Sequence, residues 1–316
     1  MVRAGGGQLV IKAGDIHLSQ RGTLQTLAQG NGDAGSIQIQ AGDLSLLSGA
    51  DIDASNEGQG AGRGGNISIQ LSGDALIEAE AIAGEFLGQS FLGGIYSIAE
   101  NRGQGGDIHF SAQKLTMQNG GTIAAASLGS GNAGSIEINL SGALLMETAS
   151  ITAQAQQAGG GNIHIETPAR IQLLDSHITA RAAGELPEHA GGNVAIINNE
   201  FFIINHSQIL ASSVGGPGGN IHIDSRQFLP SGDSRVDASS ERNIDGTVLI
   251  NSPEVDLGSA LRLQAGGFLR NDDLIREQCK VQIGTAEAVG SRFIVSGAQS
   301  YPSAPDELRG SVLGEE

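Results

Sequence analysis

The chain has 316 residues, enough for one or two ordinary domains, yet 49 are glycine, none is tryptophan and only 2 are tyrosine. Glycine without a strict three-residue period excludes collagen, and an apolar fraction of 39% is too high for a disordered glycine-rich chain. A formal net charge of −17 with no Lys/Arg cluster repels phosphate backbones and anionic lipid, so neither nucleic acid nor a membrane surface is an expected partner.

Cys279 is the only cysteine, which rules out an internal disulfide framework and a zinc site built from clustered cysteines. No run reaches transmembrane length, so membrane insertion is not expected, and the N-terminal residues carry no apolar segment of signal-peptide type. A repeat begins at once, near Gly6, and the chain reads as a piece of something longer.

Taken in chain order, the repeat opens with a small-residue turn and an apolar-x-apolar triplet. The triplets start at Leu9, Ile37, Ile67, Ile108, Ile136, Ile163, Val194, Ile221 and Val248, at spacings of 28, 30, 41, 28, 27, 31, 27 and 27 residues. The clearest copies are Gly64-Gly65-Asn66-Ile67-Ser68-Ile69, Gly160-Gly161-Asn162-Ile163-His164-Ile165 and Gly218-Gly219-Asn220-Ile221-His222-Ile223. Second apolar segments follow at Leu44-Ser45-Leu46, Leu115-Thr116-Met117, Ile171-Gln172-Leu173 and Val255-Asp256-Leu257. A third, Ser-x-Ile-x-Ala, appears at Ser150 to Ala153, Ser176 to Ala180 and Ser207 to Ala211, echoed by Val236-Asp237-Ala238.

Alternation of period two within each triplet means strand with one buried face. Three short strands separated by turns make one coil of roughly 27 residues, which cannot bury its apolar face alone and must stack on its neighbours. The expected fold is all-β: a right-handed, single-stranded parallel β-helix of about nine coils over residues 1–260, about 40 Å long at the inter-strand spacing.

The glycines before the first strand suggest a corner with positive φ and no side-chain bulk. The column Asn66, Asn162, Asn193, Asn220 suggests an inward, partial amide ladder, interrupted by Ser36, Asp107, Ser135 and Thr247. The 41-residue interval holds a loop insertion near residues 79–92, with Ile95-Tyr96-Ser97-Ile98 resuming the repeat. Residues 261–300 read as a cap with a short helix near Asn271 to Lys280 and a strand at Ser291 to Val295, and residues 301–316 as a mobile tail.

Sites for chemistry are scarce. His109, His164 and His222 occupy the outward middle position of the first strand, two coils apart, at about 10 Å from one to the next, too far for shared metal ligation. Gly30-Asn31-Gly32-Asp33-Ala34-Gly35 has a calcium-roll flavour but occurs once, as a turn. A polysaccharide lyase or hydrolase, the rival reading, needs carboxylates converging on one face. Asp51 and Asp53 share a face, Asp237 lies several coils away, and Asp272-Asp273 falls beyond the repeats. No phosphate loop or serine-nucleophile context is present. The sequence therefore nominates no catalytic, cofactor-binding or metal-ligating residue, no cofactor, and no enzyme activity.

The Gly-Gly-Asn-Ile-x-Ile unit with Ser-x-Ile-x-Ala, over roughly residues 6–260, resembles the filamentous-haemagglutinin-like exoproteins of two-partner secretion, and most of all their long cyanobacterial members. Cys279 followed by Gly290-Ser291-Arg292-Phe293-Ile294-Val295-Ser296-Gly297 resembles the family's C-terminal region. The resemblance implies a secreted or surface-displayed adhesive or structural β-helix, exported through an outer-membrane two-partner-secretion transporter, with cell-surface glycans or proteins as contacts. The family's N-terminal secretion domain, with its Asn-Pro-Asn-Gly-type motif, is not in this sequence, nor is a Gly-Leu-Pro-Pro run after Ala298. An unexported fragment without a present role is the third reading.

Overall fold

The computed structural model describes residues 6–86 and 89–253. The Val255 segment, the proposed cap, Asp272-Asp273, Cys279 and the tail lie outside the described residues. What is described is all-β, and its strands stack in parallel as a β-solenoid of about eight turns.

Each turn contributes to three ladders. The first runs through Leu9–Lys12, Ile37–Ala41, Ile67–Leu71, Ile108–Ala112, Ile136–Leu140 and Ile163–Thr167. It continues through the opening residues of Val194–Asn205 and Ile221–Pro230 to Val248–Asn251. All nine predicted triplets are therefore strands, in register first residue to first residue. The second ladder includes Leu44–Leu46, Leu115–Gln118, Leu144–Glu147 and Ile171–Leu174. The third passes from Thr23–Gln25 through Asp51–Asp53, Gly94–Tyr96, Thr122–Ala124, Ser150–Thr152, His177–Thr179 and Gln208–Leu210 to Arg235–Asp237.

A fourth contact was not expected. Single residues after the third strand, Ala28, Asn56, Ala99, Ser127, Ala155, Ala182, Ser213 and Ser240, bridge in parallel from turn to turn. The cross-section thus has a short extra side, one residue wide, which alternation could not reveal because one residue has no period.

Alternation does what it should along most of the first two ladders: Ile163 and Ile165 are buried while His164 between them is partly exposed, and the same holds around Ile138 and Ile223. In the third, Gly94–Tyr96, Thr122–Ala124 and Ser150–Thr152 are buried at every position. Equivalent positions stack into columns of Ile and Leu that form one continuous core. Burying each such side chain contributes about 1.5–3 kcal/mol. Phe202 and Phe228 add an edge-to-face pair, centroids 5.3 Å apart, in adjacent turns.

Of the two reasons the sequence suggests for the glycines before the first ladder, the structure bears out the lack of room for a side chain and not the positive φ. Gly7, Gly35, Gly65, Gly106, Gly134, Gly161, Gly192, Gly219 and Gly246 occupy one column, two residues ahead of each triplet. None has positive φ; the left-handed residues sit mostly at the corner between the second and third strands, for example Ser48, Gly49, Asn119, Gly120, Asp175 and His206. What the glycine column requires is proximity. A Cβ on Gly161 would stand 1.8 Å from the Gly134 carbonyl oxygen, and one on Gly219 would stand 2.0 Å from that of Gly192.

The asparagine column is also corrected. Asn66, Asn162, Asn193 and Asn220 face solvent, not the core. They sit one residue before the inward isoleucine, so alternation turns them outward. They still form a ladder. The Asn193 backbone N–H and side-chain amide both donate to Asn162 Oδ1, at 2.9 and 3.1 Å, and Asn220 repeats this onto Asn193. Asp107 takes the same role for the Ser135 N–H, and the Thr247 N–H and hydroxyl both donate to Asn220 Oδ1.

The insertion is a β-hairpin, not a loop: Glu80–Phe86 pairs antiparallel with Gln89–Leu92. It leaves the solenoid after the second-ladder strand Ala75–Glu78 and returns into the third at Gly94–Tyr96. Segments that alternate can pair with one another when they are not held in a ladder, and this is what the sequence reading passed over.

Two substitutions test this architecture. Ile163→Asp places an uncompensated carboxylate where the side chain is 1% exposed, and should cost several kcal/mol, roughly 3–5, or abolish cooperative urea unfolding. Gly161→Ala should cost at least about 1–3 kcal/mol through overpacking against backbone, whereas Gly232→Ala, with nothing within 4 Å of its Cβ, should be close to neutral. Equal stability of the two alanine variants would refute the role of the column.

Candidate functional site

Most outward positions of the solenoid make isolated or pairwise polar contacts. An amide bond from Asn139 at 2.9 Å, and His109 Nδ1 lying 3.0 Å from Glu137 Oε2 across adjacent turns, hold the Glu137 carboxyl below its ordinary range. His164 follows two turns along from His109, 3.9 Å from Glu166, and all three first-strand histidines point outward as expected. His206 pairs with Asp233 at 2.8 Å. Among the described residues no group of three or more His, Cys, Asp or Glu side chains is arranged to hold a metal ion. The single Gly/Asp-rich turn uses Asp33 to accept the Arg63 N–H at 2.8 Å, a turn-to-turn bond.

One place differs. The third strand and the one-residue bridge that follows it present two outward columns to each other. Asp53 and Tyr96 stand on the first, and Glu57, Glu100 and Leu128 on the second, with Ser55 and Ile98 between. Between them lies a cavity of about 160 Å³ lined by Asp51, Asp53, Ser55, Glu57, Tyr96, Ile98, Glu100 and Leu128. Its apolar lining is Tyr96, Ile98 and Leu128, which with Ala124 and Ala126 form a second cluster separate from the main core. The rim is acidic.

Desolvation raises the carboxyls of Asp51, Asp53 and Glu100 above the usual range. Neighbouring charge adds to this: Asp53 acts on Asp51, and Glu57 on both Asp53 and Glu100. Opposing bonds hold two of them partly ionisable: the Thr23 hydroxyl donates to Asp51, and the Ser55 N–H donates to Asp53 at 2.9 Å. The Tyr96 phenol, buried and engaged with Gly93 and Thr122, is also pushed up.

Asp51 and Asp53 do share a strand, as the sequence suggests, and Asp237 lies far along the same ladder, bound to Arg235 at 2.6 Å. The sequence reading missed Glu57 and Glu100. Each follows a bridge residue, Asn56 and Ala99, so the two stack directly. The two glutamates do share an offset, five positions after the third-strand isoleucines Ile52 and Ile95, but only the bridge shows that this offset matters.

Asp53→Asn keeps the Oδ1 acceptor for Ser55 and removes a charge whose folded pKa is raised. A raised carboxyl stabilises only below its unfolded pKa, and that contribution is lost as pH rises through the folded value. At pH 7 the variant should therefore be more stable than the parent, by on the order of 1 kcal/mol, and the gap should close below about pH 4. Thermal melts across that range check the sign; a destabilised variant at pH 7 would contradict it.

Among the described residues no helix is long and apolar enough to cross a membrane. No protein-family model, no curated protein and no solved structure matches the chain.

Proposed function

We propose that this chain is a rigid structural and adhesive solenoid, displayed outside the cell as part of a filamentous-haemagglutinin-like exoprotein, and not a catalyst. The observation that carries the reading is the uninterrupted parallel stack from Leu9 to Asn251. One continuous core runs through the turns as far as Ala238, and many of the outward positions carry polar side chains. Such a body sets distance and presents surface. The Gly-Gly-Asn-Ile-x-Ile and Ser-x-Ile-x-Ala units support the family assignment, and with it export through an outer-membrane transporter and contacts with cell-surface glycans or proteins.

A second reading has one observation in its favour. The carboxylates at Asp51, Asp53, Glu57 and Glu100 gather on one face, and a raised carboxyl is what a general acid for glycosidic cleavage needs. Parallel β-solenoids hosting such chemistry would be an analogy of fold alone.

One measurement separates the two. The purified chain is incubated with a panel of neutral and anionic polysaccharides, and bound polymer and newly released chain ends are recorded together. Retention without new ends is the expected result. Release of ends, abolished by Asp53→Asn, would replace the adhesive reading with the enzymatic one, and absence of both signals would reduce the chain to a spacer.

A further inference from the structure

The groove beside Tyr96 joins two features that occur apart elsewhere on the surface: apolar side chains gathered outside the core, and carboxylates without cations. Leu128 remains partly exposed, and with Tyr96 and Ile98 it forms the apolar floor. Asp51, Asp53, Glu57 and Glu100 make no ion pair among the described residues, whereas Glu80, Glu137, Asp233 and Asp237 each meet an Arg or His. Negative charge has been concentrated over an apolar floor, at a cost in desolvation, and left unanswered.

We propose that this groove docks a basic, partly apolar segment of a partner protein, an Arg or Lys side chain lying between Asp53, Glu57 and Glu100 with its aliphatic stem, or a neighbouring apolar residue, on the Ile98–Leu128 floor. Long cationic side chains pack their methylenes on apolar surface while the head group reaches charge, and this floor-and-rim arrangement offers both. A guanidinium also bonds carboxylates in pairs.

Charge complementarity selects this occupant over others. The donors are not arranged as a metal-ion set. An anionic glycan would meet repulsion from the rim, and a neutral one would leave the four carboxylates uncompensated. A bound cation offsets the mutual repulsion and burial that raise Asp53 and Glu100. The acidity of the whole chain, at −17, adds long-range attraction for a basic partner. The inference deepens the adhesive reading and rests on it, since it names the chemistry of one contact.

The probe is a fluorescein-labelled peptide of alternating leucine and arginine, titrated with the full chain and followed by anisotropy, beside the same peptide with glutamate for arginine. The arginine peptide should bind and the glutamate peptide should not. The triple variant Asp53→Asn, Glu57→Gln, Glu100→Gln should weaken binding about tenfold or more. A control triple elsewhere, Glu166→Gln, Glu200→Gln, Asp224→Asn, changes net charge equally and should leave affinity within about twofold. Leu128→Ser should weaken binding with the charges intact.

Equal weakening by both triples would overturn the site, because attraction would then follow net charge alone. Failure of the arginine peptide to bind the parent chain, with binding of calcium alone in the same groove or without it, would overturn it too. Cooperative thermal melts of both triples establish that both fold. Polysaccharide retention by the parent without any peptide binding would remove the groove partner and leave the adhesive solenoid standing.

Discussion

The approach of one turn's backbone to the next at the glycine column governs the rest of this fold. Where the chain finishes its third strand and swings into the next turn, it passes within van der Waals contact of the turn below. From Gly35 to Gly246 every residue of the column is glycine because a carbonyl oxygen of the preceding turn occupies the space a Cβ would need. That closeness lets the same glycine tie the coil shut. The N–H groups of Gly65, Gly134, Gly161, Gly192, Gly219 and Gly246 donate to the carbonyls of Ala54, Ala125, Ala153, Ala180, Ala211 and Ala238 at 2.7–3.0 Å. Those alanines follow the third strand, and at Ala153, Ala180 and Ala211 they close the Ser-x-Ile-x-Ala segments, so both motifs of the repeat belong to one junction. In the turn that carries the hairpin, Ser97 replaces the alanine, and its hydroxyl accepts the Gly106 N–H and donates to the Gly65 carbonyl instead.

Between junctions the problem is backbone satisfaction. Parallel ladders bond only while the strands remain straight, and every corner leaves N–H groups that must find an acceptor. The chain answers with side-chain oxygens of the neighbouring turn. Asn162 and Asn193 serve the first strand, and Asp15 and Asp43 serve the start of the second. On the third, the hydroxyls of Ser176 and Ser207 accept from Ala149 and Ser176. Asn, Asp and Ser recur at fixed places for this reason, as structural groups bonded from turn to turn.

The candidate groove arises from the same geometry. A third strand followed by a one-residue bridge turns the outer surface inward, so two outward columns face each other. Farther along the stack those columns hold small or neutral residues such as Ala183, Thr152 and Thr179, and where charge returns, at Asp237 and Glu241, an arginine faces it. In the turns flanking the hairpin they hold three carboxylates and a tyrosine, with Asp51 beside them. The hairpin returns to the solenoid immediately before Tyr96, through Gly93 and Gly94 at positive φ, so the irregularity of the stack and the unusual chemistry of its surface lie side by side.

Spacing and alternation alone determined the strands, their parallel register and which isoleucines are inside. Those follow from a period of two within each strand and one recurring turn length, both local properties of the chain. Outward placement of the first-strand histidines was legible for the same reason. Three things belonged to the tertiary structure. The asparagine ladder's bonds, which join residues 31 and 27 positions apart, exist only once the turns are stacked. Pairing within the insertion depended on its two segments being freed from the ladders. Convergence of Glu57 and Glu100 on Asp51 and Asp53 depended on a single-residue bridge that leaves no periodic trace, and on an insertion that separates the two glutamates along the chain while the stack brings them together.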